Sequence, residues 1–319
     1  MKRLAIAGLL IGAPACLMLA LFSGSVAISP DRWWPILSGH GSPLENEIVW
    51  TLRAARALAA FTVGGLLALS GGLMQALLRN PLADPYLLGL SGGAAVGSLA
   101  CMLWPLGTPP AVGATIGAAL SAIVVVSIAH RRLALDPYRL LLAGVAMASG
   151  TAAVVSLLLA LAAPGQLRGM LFWLMGDLSA SAASPLAALV LVAAGVVSMF
   201  LARGLDALAL GPLKAASLGI AVQRTQWLAL ACAVIATACA VLIAGTLGFV
   251  GLVVPHLVRL SGHHLHRQLL PLSILAGGIL LTLADTAARS MLAPAELPVG
   301  ALLALLGVPV LLALVLRLR

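Results

Sequence analysis

The sequence predicts an all-α, polytopic membrane protein with ten transmembrane helices and both termini on the cytoplasmic side. Three observations predict it. Of 319 residues, 62% are hydrophobic and 8% charged, whereas soluble domains are about 25% charged. Uncharged apolar runs of about 20 residues, the length that crosses a bilayer as a helix, recur along the whole chain. The basic residues between those runs fall unevenly on alternate loops, as the positive-inside rule requires.

The spans follow in order, each bounded by polar or proline-rich turns. Met1, Lys2 and Arg3, an apolar run and then Ser-Gly-Ser-Val-Ala have the layout of a signal peptide. The run itself is uncharged and about 19 residues long, enough to span, so a retained first span over 4–24 is expected. A loop with Asp31, Arg32, Trp33, Trp34, Glu45 and Glu47 follows, its tryptophans suited to the interfacial belt. The second span is expected over 54–78, the third over 86–104, the fourth over 111–129, the fifth over 139–162 and the sixth over 185–202. The segment 164–184 is mixed and non-spanning. Residues 203–226 are too polar to span but carry an apolar stripe of Leu205, Leu208, Leu210, Leu213 and Leu218. Gly211-Pro212 should divide this stretch into two short helices at about 205–220. The seventh span is expected over 227–245, a short eighth over 249–260, the ninth over 271–290 and the tenth over 299–316. The eighth is too short for a full crossing and should be buried partly by protein.

Alternation from a cytoplasmic N-terminus puts thirteen basic residues inside (Lys2, Arg3, Arg79, Arg131, Arg132, Arg139, Arg203, Lys214, Arg224, Arg259, Arg267, Arg317 and Arg319). Five fall outside: Arg32, Arg53, Arg56, Arg168 and Arg289. Omitting the eighth span would carry Arg317 and Arg319 outside, so the charges support ten. Two halves of five spans would be inverted relative to each other, as in many transporters, though no sequence repeat marks them.

Composition and motifs exclude several function classes. The net charge of +9 sits singly or in pairs between apolar runs, so it speaks for membrane orientation and not for nucleic acid. The only lysines are Lys2 and Lys214 and neither follows a glycine, so a P-loop for ATP is absent. Serines and histidines lack nucleophile-elbow or metal-ligand spacing. Cys16, Cys101, Cys232 and Cys239 lie inside apolar runs without CxxC spacing and read as small hydrophobes. His263, His264 and His266 beside Arg267 read as a solvated basic turn in preference to a metal site. No cofactor is expected in this chain.

A few polar residues stand out. The turn after the second span, LLRNPLADPYLLGLSGG, cannot sit in lipid without partners, because each proline removes a donor and restricts its predecessor. It is expected at the cytoplasmic mouth of a translocation path. Gln75, one turn earlier, could line that path or hydrogen-bond a neighbouring helix. Asp285 is an acid inside a span and needs a partner. Arg289, four residues on, offers a local pair; a position facing the conduit is the sharper alternative, and a proton relay a weaker third. Arg53 and Arg56 could snorkel to headgroups or meet acidic residues of an external partner. Glycines at 64, 65, 71, 72, 93, 97, 113 and 117 indicate close helix packing.

Taken together, the motifs TLRAARALAAFTVGGLLALSGGLMQALLRNPLADPYLLGLSGG (51–93), LLLAGVA (140–146), LALGPLKAASLGI (208–220), GTLGFVGLVVPHLVRL (245–260) and ADTAARSMLAPAELPVGALLALLGVPV (284–310) resemble those of FecCD-type permeases. These serve bacterial ABC importers of iron-siderophores, haem and cobalamin. The motifs fall in order and cover nearly the whole chain. The resemblance implies a single permease domain over 1–319 with the type II importer fold in the bacterial inner membrane. It also implies a second permease subunit (the same chain or a different one), two cytoplasmic ATPases and a periplasmic binding protein. By motif position, Arg53, Arg56 and Arg289 would meet glutamates of the binding protein. Leu208, Leu210, Gly211, Ala215, Leu218 and Gly219 would dock on the ATPase. Asn80, Pro81 and Leu82 would help form the cytoplasmic gate. A second gating loop reads Asp136-Pro137-Tyr138 here, and no role is carried over to it. Many relatives have a proline at or near Ala55, which could alter the entry angle of the second span.

The expected function is therefore permease of a metal chelate, iron-siderophore first by breadth of the class, with cobalamin or haem close behind. The alternatives are an ion-coupled secondary transporter of a small solute and a membrane enzyme. The scarcity of intramembrane acids disfavours the first, and the missing catalytic constellation the second.

Overall fold

Ten apolar helices appear in the predicted order in a computed structural model that describes residues 2–24, 26–104, 107–129, 136–179, 183–293 and 295–317. Seven are long and apolar enough to cross a membrane; the other three, Leu90–Leu103, Val250–Leu260 and Val299–Ala313, are shorter and stand where the third, eighth and tenth spans were expected. No strand occurs among the described residues. The ten apolar helices are α1 (Lys2–Phe22), α2 (Pro43–Leu78), α3 (Leu90–Leu103), α4 (Pro110–Ala129), α5 (Pro137–Leu161), α7 (Pro185–Ala209), α9 (Val222–Ala244), α10 (Val250–Leu260), α11 (His266–Ser290) and α12 (Val299–Arg317). Shorter helices outside these ten include Trp33–Leu37, α6 (Pro164–Leu174) and α8 (Pro212–Ser217). Arg131, Arg132 and Arg319 lie outside the described residues.

The bundle is built around α2, which packs on α7, α9, α10 and α11 and is buried over most of its length. Glycine makes these approaches possible. A Cβ on Gly64 would lie 2.2 Å from the Gly277 carbonyl of α11, and one on Gly71 would lie 1.8 Å from the Gly251 carbonyl of α10. The same device joins α3 to α4, through Gly97 against Gly113 and Gly93 against Gly117. The sequence reading of these glycines as packing positions therefore holds.

Several boundaries differ from expectation, α9 and α11 each starting five residues early at Val222 and His266, and two differences have a clear cause. The second span does not begin at 54: α2 starts at Pro43, its first turn closed by a capping box in which Ser42 and Glu45 exchange hydrogen bonds, and it passes through a π-helical stretch, Glu47–Ala54. The extra turns mix apolar residues with Glu45, Asn46, Glu47 and Arg53, so no uncharged run marks them, although Ser-x-x-Glu is a helix-start signal. The predicted pair of short helices at 205–220 is a single one. No breaker occurs before Gly211, so α7 continues unbroken to Ala209, burying Leu205 and Leu208. Gly211, at φ 103°, then turns the chain into α8.

Helix α10 rises only about 17 Å, roughly half the hydrocarbon thickness. The irregular backbone before it is enclosed by protein: Leu247 is buried and its N–H donates to the Tyr86 hydroxyl at 3.0 Å, while the Thr246 hydroxyl donates to the Leu174 carbonyl. Such backbone is tolerated at membrane depth only when satisfied in this way.

Candidate functional site

Side-chain contacts gather at two opposite ends of the bundle, and they link the helix ends that alternation from a cytoplasmic N-terminus places together. At the outer end, α1 finishes beside the start of α2 and the end of α11. A helix leaves its last four carbonyls without intrahelical donors, and two arginines take up those of α1. Arg53 donates through Nη1 to Leu21 at 3.0 Å and Phe22 at 3.4 Å, and through Nη2 to Val26. Arg289 donates to Ala20. Both arginines are 4% exposed. Cationic donors at a helix C-terminus also meet the negative end of its dipole.

Arg56 has a different arrangement. Its Nε and Nη2 grip the Asp285 carboxylate at 2.9–3.1 Å, and its Nη1 donates to Glu296 at 2.9 Å. The local pair expected for Asp285 is thus the weaker one: the Arg289 Nε stands 3.8 Å away, and the bidentate partner is 229 residues distant. The three arginines predicted by motif do come together, but none is a bare surface cation. Trp34 is exposed, and Trp33 stacks edge-on against Phe22 with ring centroids 4.3 Å apart.

At the inner end, α2 closes with a reciprocal cap. Asn80 N donates to the Gln75 carbonyl and Arg79 N to that of Ala76, with Arg79 in the left-handed region at φ 49°. The turn then builds itself from two side-chain acceptors: Asn80 Oδ1 takes the Leu82 N–H at 2.9 Å and Asp84 Oδ1 the Tyr86 N–H at 2.8 Å. Asn80 and Pro81 are exposed, Leu82 half-buried, and Ala83 and Pro85 buried. The stretch therefore begins at the surface and turns inward to meet the residues before α10. Tyr86→Phe should strand the buried Leu247 N–H and cost about 1–3 kcal/mol, read as a lower unfolding temperature in detergent. Phe and Tyr variants of equal stability would exclude that bond as a structural tie.

Gln75 is an interhelical hydrogen-bonding group. Its amide donates to the Leu252 carbonyl at 3.1 Å, and its Oε1 accepts from Arg259. A small cavity of about 50 Å³ lies close by, lined by Ala76, Leu77, Arg79, Pro137, Leu208 and Pro212, together with Gln226. The turn after α2, the Asp136-Pro137 cap of α5 and the junction of α7 with α8 therefore meet at one place. On α8 itself Ala215 is buried, while the neighbouring leucines Leu210, Leu213 and Leu218 are 60%, 86% and 64% exposed. Gly219 follows at φ 79°.

The histidine turn differs from its expected solvated state. His264 is exposed, but His263 and His266 are buried. His266 Nδ1 lies 2.6 Å from Asp206 Oδ1, and its backbone N–H donates to the same oxygen at 3.0 Å. Among the described residues no group of three or more His, Cys, Asp and Glu side chains is placed to hold a metal ion.

A model of the FecCD transport family matches residues 10–317. The chain belongs to the FecCD transport family. Similar proteins include a cobalamin import system permease of Halobacterium salinarum, 41% identical over 86% of this chain and 77% of the relative. A vitamin B12 import system permease of Escherichia coli O139:H28 is 38% identical over 94% and 91% of the two chains, and one of Vibrio cholerae is 40% identical over 92% and 88%. A solved structure, an inward-facing conformation of a transporter assigned to the metal-chelate ABC type, superposes with a TM-score of 0.86 at 27% identity. It covers 99% of this chain and all of the solved one. This FecCD chain is thus a multi-pass inner-membrane permease of the ABC-importer type.

Sequence reasoning passed over Glu296, Tyr86, Asp206 and Arg259 as site residues. Arg259 enters there only as a charge, Tyr86 only as part of a turn, and Glu296 and Asp206 are not singled out, because each partner lies 60 to 240 residues away in the chain.

Proposed function

We propose that this permease conducts cobalamin, as one half of a two-permease channel driven by two cytoplasmic ATPases and supplied by a periplasmic binding protein. The observation that carries the substrate is that bacterial and archaeal relatives at 38–41% identity bear cobalamin or vitamin B12 in their names. That moves the preference from iron-siderophore to cobalamin, and family membership moves it away from an ion-coupled carrier.

The geometry supports the assembly. Helix α5 buries only Leu140, Ala143, Gly144 and Leu158. Along it Ser149, Thr151 and Ser156 turn their hydroxyls back to carbonyls four residues earlier, leaving small and apolar surface. A second permease and a conduit fit against this face. Leu210, Leu213 and Leu218 on and beside α8 form the knob for the ATPase, and Asn80, Pro81 and Leu82 help close the inner mouth. Arg56, with its partly exposed partner Glu296, forms the docking end for the binding protein, and the buried Arg53 and Arg289 hold the end of α1 beside it.

The test is uptake by the reconstituted complex of permease, ATPase and binding protein in liposomes. ATP-dependent accumulation of labelled cyanocobalamin, well above that of a ferric siderophore or haem, is expected. Uptake driven by an ion gradient without ATP would return the secondary-transporter reading, and preferential siderophore uptake would overturn the substrate.

A further inference from the structure

Among the three outer arginines only Arg56 has a partner that can be exchanged. Arg53 and Arg289 are buried and are held by carbonyls at and just beyond the end of α1, with Arg289 also 3.8 Å from the buried Asp285. Arg56 uses one edge of its guanidinium on Asp285, whose side chain is 2% exposed and which also stands 3.8 Å from Arg289. Removing that acid would leave buried positive charge without compensation, so this side of the contact is permanent. The other side is not. Arg56 Nη1 meets Glu296, whose side chain is 34% exposed and which lies on the link between α11 and α12. Glu296 is about one-third exposed, so its carboxylate can turn to water far more readily than the buried Asp285.

We propose that Glu296 is a built-in stand-in for a carboxylate of the binding protein: it holds the one replaceable position on Arg56, and its displacement is a step of docking. The inference rests on the docking reading given above. An incoming carboxylate would make the bond that Glu296 gives up, so the net gain per docking event is small. A binding protein that must leave after every delivery needs such reversible attachment.

The test measures the dissociation constant of the binding protein for the complete permease–ATPase complex in nanodiscs at low salt. Glu296→Gln keeps the size of the side chain and removes the competing charge. It should tighten docking by roughly three- to tenfold, mainly through slower dissociation. Glu296→Asp, which keeps the charge but shortens its reach, should give a smaller gain. Arg56→Ala should weaken docking. Glu47→Gln, at an exposed outer carboxylate, controls for the general field, and an equal gain there would overturn the proposal. Unchanged or weaker docking by Glu296→Gln, with Arg56→Ala still harmful, would overturn the stand-in and leave the docking reading in place. No effect of either variant would remove both.

Discussion

Replacing Asp285 by alanine is expected to destabilise the folded protein by about 3–5 kcal/mol, because it leaves the Arg56 guanidinium in the outer end of the bundle without its bidentate acceptor. The measurement is thermal or denaturant unfolding of the purified permease in detergent. A double-mutant cycle decides which arginine matters. The carboxylate accepts three close bonds from Arg56 at 2.9–3.1 Å, whereas the Arg289 Nε stands at 3.8 Å and finds no hydrogen-bond partner. Coupling between positions 285 and 56 should therefore exceed that between 285 and 289, and joint replacement of Arg56 and Asp285 by leucine should recover much of the loss. A larger coupling with Arg289 would mean that the local pair suggested by the i, i+4 spacing governs the site after all.

Leu213→Glu is expected to abolish ATP-driven uptake while leaving the permease folded. Leu213 is 86% exposed on α8, so the substitution removes no packing within the chain, and its stability effect should stay within about 0.5 kcal/mol. A protruding leucine seated in a partner's groove is a different matter, since a few such residues carry most of the energy of an interface. Copurification of the ATPase with the Leu213→Glu variant should be lost, and uptake should fall at least about tenfold. Leu208→Glu is the contrast. Leu208 is buried where α7 ends, so that variant should lower stability before any effect on coupling can be read. A normally assembled complex carrying Leu213→Glu would remove α8 from the ATPase contact.

The difference between Leu208 and Leu213 shows how far the chain could be read in one dimension. Both belong to one apolar stripe, and nothing in the spacing of leucines between Arg203 and Gln226 says which will face the core. The answer comes from the continuation of α7, which carries Leu205 and Leu208 into the bundle before Gly211 turns the chain. Gln75 presents the same problem. Its place one turn before Asn80 was plain, but the choice between a conduit and a neighbouring helix depended on where α10 would pass. Asn80 and Asp84, by contrast, were legible with their mechanism, since a short side-chain acceptor beside proline makes its turn from adjacent residues alone.

The sequence by itself determined the membrane-spanning class, the ten apolar helices and the positions where glycine lets helices touch. These are consequences of run length, charge and residue size, which are local quantities. Only the tertiary structure decided that Arg53 and Arg289 cap α1, that Arg56 joins Asp285 to Glu296, that Tyr86 reaches Leu247 and that His266 grips Asp206. Each of these bonds joins groups far apart in the chain. In a bilayer a polar group must find a partner inside the protein, but many partners satisfy that demand equally well, and the packing of helices around α2 makes the choice.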